Sequence, residues 1–99
     1  MADVVYSEGA LNDLDSIWTY TIERWSQDHA VRYLQQLRDR VTLLADHPAS
    51  GRVVEGVTPE VRVVPCRSHV IVYRVEGETL RILAFSHQSS NWYQVLLEG

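Results

Sequence analysis

Arginine is the only fixed cation in this 99-residue chain: nine arginines and no lysine stand against thirteen acidic residues, for a net charge of -4. Its planar fork binds carboxylates and phosphates through paired hydrogen bonds, which suits recognition at chosen points better than diffuse attraction. Residues 1–51 hold eight acids and four arginines, whereas residues 52–99 hold five of each, so the second half is locally richer in arginine. Arg62, Arg67 and Arg81 together with His87 could form a ribonuclease site. In it the arginines would stabilise the charge of a pentacoordinate phosphate while the histidine moved a proton.

The other reactive side chains offer less. His29, His47, His69 and His87 have neither the HExxH pattern nor Cys/His ligand spacing, so no metal and no cofactor is expected. No P-loop, GxGxxG or GxSxG occurs, and Asp13 and Asp15 lie two apart on a helix, a spacing that reads as a solvated face. The lone cysteine, Cys66, reads as a small buried hydrophobe, and it suits a reducing cytoplasm. Net acidity argues against direct nucleic-acid binding by the chain alone and against membrane-surface binding. Met1-Ala2-Asp3 has no basic leader, and no apolar run approaches the roughly 20 residues of a membrane span.

These side chains must be positioned by one domain, residues 1–99, since this length suits a single core. Residues 2–6 read as a short strand ending at Ser7, a suitable helix cap. Leu11, Leu14, Trp18, Ile22 and Trp25 then recur at spacings of three and four, which predicts an amphipathic helix. After Ser26-Gln27-Asp28, a second apolar stripe runs through Ala30, Tyr33, Leu34, Leu37, Val41, Leu44 and Ala45, with Asp28 and Arg32 spaced as an ion pair. Similar lengths and a tight link predict an antiparallel helical hairpin.

Beyond His47-Pro48 and a loop through Gly51, Gly56 and Pro59, the period becomes that of strands over 61–66, 70–75 and 79–85. Gly77-Glu78 suits a two-residue II′ turn, and this turn sets Val75 opposite Leu80 and Arg74 opposite Arg81. Continued without interruption, the register puts Ile71, Tyr73, Val75, Leu80, Ile82 and Ala84 on one face. Val70, Val72, Leu83 and Phe85 fall on the other, rimmed by Arg74, Arg81 and His87, and His69 and His87 point apart. A sheet apolar on both faces needs two covers, and the helical hairpin supplies one. The second is either the C-terminal segment, Asn91–Leu97, or a partner. Two facing arginines call for an internal acid, Glu55, Glu60 or Glu98, for a register one residue away, or for carboxylates from that partner.

The chain resembles the RelE/ParE superfamily, and in detail its ParE branch. The likeness is carried by Tyr6-Ser7, Asp13-Leu14-Asp15-Ser16-Ile17-Trp18-Thr19-Tyr20, Glu23-Arg24-Trp25, His47-Pro48, Gly51-Arg52, Val61-Arg62, Ser68-His69-Val70, Val72-Tyr73-Arg74 and His87-Gln88. The resemblance implies an α+β fold: an N-terminal strand and an antiparallel two-helix hairpin packed on a mainly antiparallel sheet. A three-stranded C-terminal meander and a short tail complete it. It also implies a cytoplasmic toxin of a toxin-antitoxin pair that inhibits DNA gyrase by protein binding and forms a hetero-oligomer with a ParD-like antitoxin. RelE-type toxins instead cleave messenger RNA on the ribosome, typically with lysines and arginines on the sheet, and this chain has no lysine to place there; for that alternative the candidates are Arg62, Arg81 and His87. The expected antitoxin surface comprises Arg62, Arg67, Val70, Val72, Arg74, Arg81, Leu83 and Phe85. The expected target contact is Trp92, Tyr93, Leu96 and Leu97, residues that would otherwise cap the core.

Overall fold

The computed structural model describes residues 2–98. Strand β1 (Asp3–Tyr6) leads into helix α1 (Glu8–Arg24) and helix α2 (Gln27–Asp46). Ser7 and Ser26 cap the two helices by accepting the backbone N–H of Ala10 and of His29. A short 3₁₀ turn, Pro48–Ser50, precedes strands β2 (Arg52–Val53), β3 (Arg62–Cys66), β4 (His69–Glu76) and β5 (Thr79–His87), and helix α3 (Trp92–Glu98) ends the chain. The five strands form one sheet in the order β1-β5-β4-β3-β2, in which only the β1–β5 pair is parallel. This is the α+β arrangement the sequence predicts. β2 pairs only with Val63 and Arg62, which leaves the rest of β3 as a free edge where Pro65 offers no backbone donor.

The α1–α2 hairpin covers one face of the sheet. Its core joins Leu34, Leu37, Val41, Leu44 and Ala45 of α2 to Ile71, Tyr73, Leu80, Ile82 and Phe85. The stripe expected on α2 is buried except for Tyr33, which is half-buried. On α1 the buried positions are Ala10, Ile17 and Thr21, with Leu14 and Trp18 partly buried, so Leu11, Ile22 and Trp25 are exposed rather than inward as expected. The N-terminal turn meets the sheet through small residues: Ala10 is fully buried, and a Cβ on Gly9 would be in ordinary contact with the Leu83 carbonyl oxygen at 3.7 Å.

The hairpin between β4 and β5 departs from the expected register at one point. Arg74↔Arg81, Val75↔Leu80 and Tyr73↔Ile82 pair as predicted around Gly77, whose φ of 61° supplies the turn. Beyond them the pairing shifts, so that Val72 faces Ala84, Ile71 faces Phe85 and His69 faces His87. Leu83 is the extra residue of a β-bulge. The bulge reverses the alternation: Phe85 moves to the helix side, stacking with Tyr6 at 6.3 Å, and Ala84 joins Val70 and Val72 on the opposite face. Two α1-side groups hold it. The Ser7 hydroxyl donates to the Leu83 carbonyl at 3.0 Å, and the Asp13 carboxylate accepts the Phe85 N–H at 3.0 Å. Asp13 therefore serves the sheet rather than a solvated helix face.

The second face is covered from within the chain. Val54, Val61, Val63, Val70 and Val72 form a cluster against which Leu83, Ala84, Trp92 and Leu96 pack. Of the two covers the sequence left open, the C-terminal segment is present as α3.

Candidate functional site

The residues expected to bind a partner separate into two groups. Val70, Val72, Leu83, Arg74 and Arg81 share the face away from the hairpin, as expected. Arg62, Arg67 and Phe85 do not. Arg62 pairs in register with Tyr73 on the helix side, where its guanidinium donates to the Gly51 and Ala49 carbonyls at 2.7 and 3.1 Å and lies 3.6 Å from Glu60. Arg67 sits in the β3–β4 turn with φ of 57° and donates to the Gln36 side chain of α2 at 2.9 Å. Phe85 crosses to the helix core because of the bulge. Val70 and Val72 are themselves only 6% and 1% exposed beneath the α3 cover.

What remains open on that face is the arginine pair. Arg74 and Arg81 stand directly opposite each other, and like charges in that position repel. Glu76, two residues along from Arg74, bridges them, accepting from Arg81 Nε at 2.9 Å and lying 3.8 Å from Arg74. The expected acids, Glu55, Glu60 and Glu98, do not pair with either arginine among the described residues. One carboxylate shared between two guanidiniums leaves positive charge over, and Arg74 Nε is buried without an acceptor. Leaving a buried donor unpaired costs about 1–3 kcal/mol. Half-buried Leu83 lies beside the pair on the same face.

α3 divides the expected target residues in two. Trp92 and Leu96 turn inward onto the valine cluster, while Tyr93 and Leu97 are about two fifths exposed and flank the exposed Val95.

The ribonuclease candidates do not converge. Arg81 lies on the face away from the hairpin and Arg62 and His87 on the helix face, with Arg62 opposite Tyr73 and His87 at the far end of β5. His87 instead meets His69, ring centroids 5.4 Å apart, which corrects the expectation that the two point apart. The Tyr33 hydroxyl oxygen accepts the Ser68 N–H at 3.2 Å and lies 2.6 Å from His69 Nδ1, in a hydrogen bond whose direction follows the His69 tautomer. His87 Nδ1 accepts from the Ser89 backbone at 3.1 Å. The signal for this cluster was the Ser7 and Asp13 pair. Only side chains able to seize β5 backbone groups reveal that the alternation breaks.

Burial, reinforced by the neighbouring His87, lowers the His69 pKa to about 4. Burial likewise raises the Tyr33 hydroxyl and the Cys66 thiol above their ordinary values, which holds Cys66 in the inert thiol form the sequence suggests. The linkage has a definite sign. Above pH about 6.5 His69 is neutral in both folded and unfolded chains; below it the unfolded chain takes up a proton that the folded chain refuses until about 4. The His69 contribution to stability is therefore full above pH 6.5 and lost as pH falls toward 4. Urea unfolding at pH 7.5 and 5.5 should show a smaller pH-dependent loss in His69→Gln than in the unmodified chain. Equal losses would refute the assignment.

A family model described as "ParE toxin of type II toxin-antitoxin system, parDE" matches residues 4–92. Toxin ParE1 of Caulobacter vibrioides is 38% identical over 85 residues, covering 86% of this chain and 88% of that protein. Toxin ParE1 of Mycobacterium tuberculosis is 35% identical over 83 residues, covering 83% of this chain and 85% of that protein. A solved structure described as the chromosomal ParDE TA system from P. aeruginosa superposes with a TM-score of 0.76 at 23% identity, covering 88% of this chain and 96% of that one.

Proposed function

This chain belongs to the ParE toxin family of type II toxin-antitoxin systems, and from that premise we propose that it poisons DNA gyrase by protein binding and is neutralised in the cytoplasm by a ParD-like antitoxin. The observation that carries the antitoxin half of this reading is the Arg74–Arg81 pair. Two facing guanidiniums share one carboxylate, and a buried Nε lacks an acceptor. An acidic segment laid along this face supplies carboxylates to the exposed edges of the two guanidiniums, and half-buried Leu83 gives it an apolar floor. Val70 and Val72 then act from below, as the support that holds the strand, because α3 covers them. Antitoxin and toxin form a hetero-oligomer held at this end of the sheet.

The gyrase half rests on family and on α3, where Tyr93 and Leu97 beside the Glu55–Gly56 loop and Val95 on the other flank leave apolar surface in solvent. Catalysis is not part of this reading: Arg62, Arg81 and His87 lie on different faces or at different ends of the sheet.

Arg74→Ala/Arg81→Ala should weaken antitoxin binding at least tenfold, since hydrogen bonds to charged groups contribute about 1.5–3 kcal/mol each. Titration calorimetry against the adjacent antitoxin measures this, and unchanged affinity would exclude the arginine pair from the interface. Supercoiling assays with the unmodified chain, with and without antitoxin, test the target. Intact supercoiling together with rapid message cleavage would overturn the gyrase reading.

A further inference from the structure

A cleft of about 720 Å³ opens between the C-terminal end of α1, the start of α2 and the β4–β5 end of the sheet. Nothing in the proposed antitoxin or gyrase contacts uses it. Its walls carry the rings of Tyr20, Trp25, His29, Tyr33, His69 and His87, and no acidic side chain is among its lining residues. Trp25 and Tyr20 are 69% and 57% exposed, a large apolar area for a chain to leave in water without a use. The rings are also organised. Trp25 and His29 stack at 5.2 Å with planes 15° apart, and Tyr33 meets His69 edge-on at 5.5 Å.

The chemistry changes on one side of the cleft. A second recess of about 380 Å³ shares His29, Tyr33 and Ser68 with the first and adds Arg32, Arg67 and Gln36. Arg67 is held toward it by Gln36, whereas Arg32 makes no ion pair among the described residues, so the expected Asp28–Arg32 pair is not formed. A ligand fitting both recesses has a flat ring at one end and an anion at the other. Aromatic platforms take bases by stacking, and arginines take phosphate through their forks. Nδ1 of His69 is engaged by Tyr33 and Nδ1 of His87 accepts the Ser89 N–H, so it is the Nε2 edges of the two rings that are left for base and sugar groups.

We propose that the linked recesses form a nucleotide-binding site, the base lying against Trp25 and His29 and one phosphate between Arg32 and Arg67. Two arginines suit a single phosphate. The net charge of -4 disfavours long nucleic acid, but it does not oppose one nucleotide held at a local pair of cations.

The probes are adenosine monophosphate, adenosine, ribose 5-phosphate and a five-residue oligoadenylate, titrated into the full chain with tryptophan fluorescence and imidazole NMR shifts as readouts. Adenosine monophosphate should bind saturably, with adenosine and ribose 5-phosphate each at least tenfold weaker because each leaves one recess empty. Trp25→Ala should weaken adenosine monophosphate and adenosine alike, and Arg32→Ala should weaken only the phosphate-bearing probes. Both positions are exposed, and far-ultraviolet circular dichroism verifies that the variants fold. Oligoadenylate binding tenfold tighter than adenosine monophosphate supports the site and identifies a single-stranded nucleic-acid end as the source; equal or weaker binding supports it and identifies the free nucleotide. Absence of saturable binding at millimolar probe, or binding indifferent to both variants, overturns the proposal.

Discussion

Gly51→Ala should lower stability by about 3 kcal/mol, through overpacking and a lost hydrogen bond. Gly51 is buried against Tyr73, and a Cβ there would fall 2.4 Å from the phenolic oxygen and 2.8 and 2.9 Å from two ring carbons. The ring cannot retreat, because Tyr73 is fully buried and its hydroxyl donates to the Pro48 carbonyl at 2.8 Å. The same hydroxyl accepts the Gly51 N–H at 2.9 Å, and Arg62 donates to the Gly51 carbonyl at 2.7 Å. Gly51 thus joins the end of the helical hairpin to the sheet, and a displaced backbone loosens three attachments together. In a domain of this size each kcal/mol moves the melting point by roughly 4–8 °C, so a drop of about 12 °C or more is expected by differential scanning calorimetry. Gly51→Ala/Tyr73→Phe should recover only part of it, since the ring carbons stay in the way. A single variant melting within about 2 °C of the unmodified chain would show that the contact relaxes at little cost.

Ending the chain after Ser90 should cost about 3 kcal/mol, the value of leaving Trp92 and Leu96 unburied together with the valines beneath them. The face they cover holds Val54, Val61, Val63, Val70 and Val72, each no more than 6% exposed, and its uncovering should appear as new binding of a hydrophobic dye. The truncation removes both roles of α3 together, and point variants separate them. Trp92→Ala/Leu96→Ala should lower the melting point, whereas Tyr93→Ser/Leu97→Ser, which gives up the Tyr93 hydrogen bond to the Glu55 carbonyl and the Leu97 contact beside Gly56, should lower it less and abolish toxicity. A truncated chain that folds and still poisons cells would exclude α3 as the target contact.

The architecture was largely legible in the sequence. The α2 stripe, both serine caps and the Gly77 turn each follow from local rules: a period of 3.6, an accepting hydroxyl, a residue free to take positive φ. The candidate site was less legible, because it depends on which way side chains point after Leu83. Strand alternation carries no memory of an inserted residue, so an uninterrupted count placed Phe85 on the wrong face and turned His87 away from His69. On α1, hydrophobicity alone selected Leu11 and Trp25, while close approach to the sheet favoured small Ala10. Glu76 bridges the arginines from the same strand as Arg74, a position that cross-strand pairing alone does not single out. The inward half of α3 follows from the need of a two-sided apolar sheet for a second cover.

The bulge at Leu83 also sets how β5 tolerates change. Before it the even-numbered positions, Leu80 and Ile82, face the helices; after it the odd-numbered ones, Phe85 and His87, do so. An alanine scan along this strand should therefore show sensitivity that skips a beat midway, and substitutions on either side of the break cannot be compared by position parity. Deleting Leu83 would do what no point substitution there can. With the turn intact, it would make β5 a regular strand in which Ala84 follows Ile82 and every later residue keeps its face and its partner on β4, so the Ser7 attachment at the bulge is lost while the aromatic ring stays in the core and the two histidines stay together.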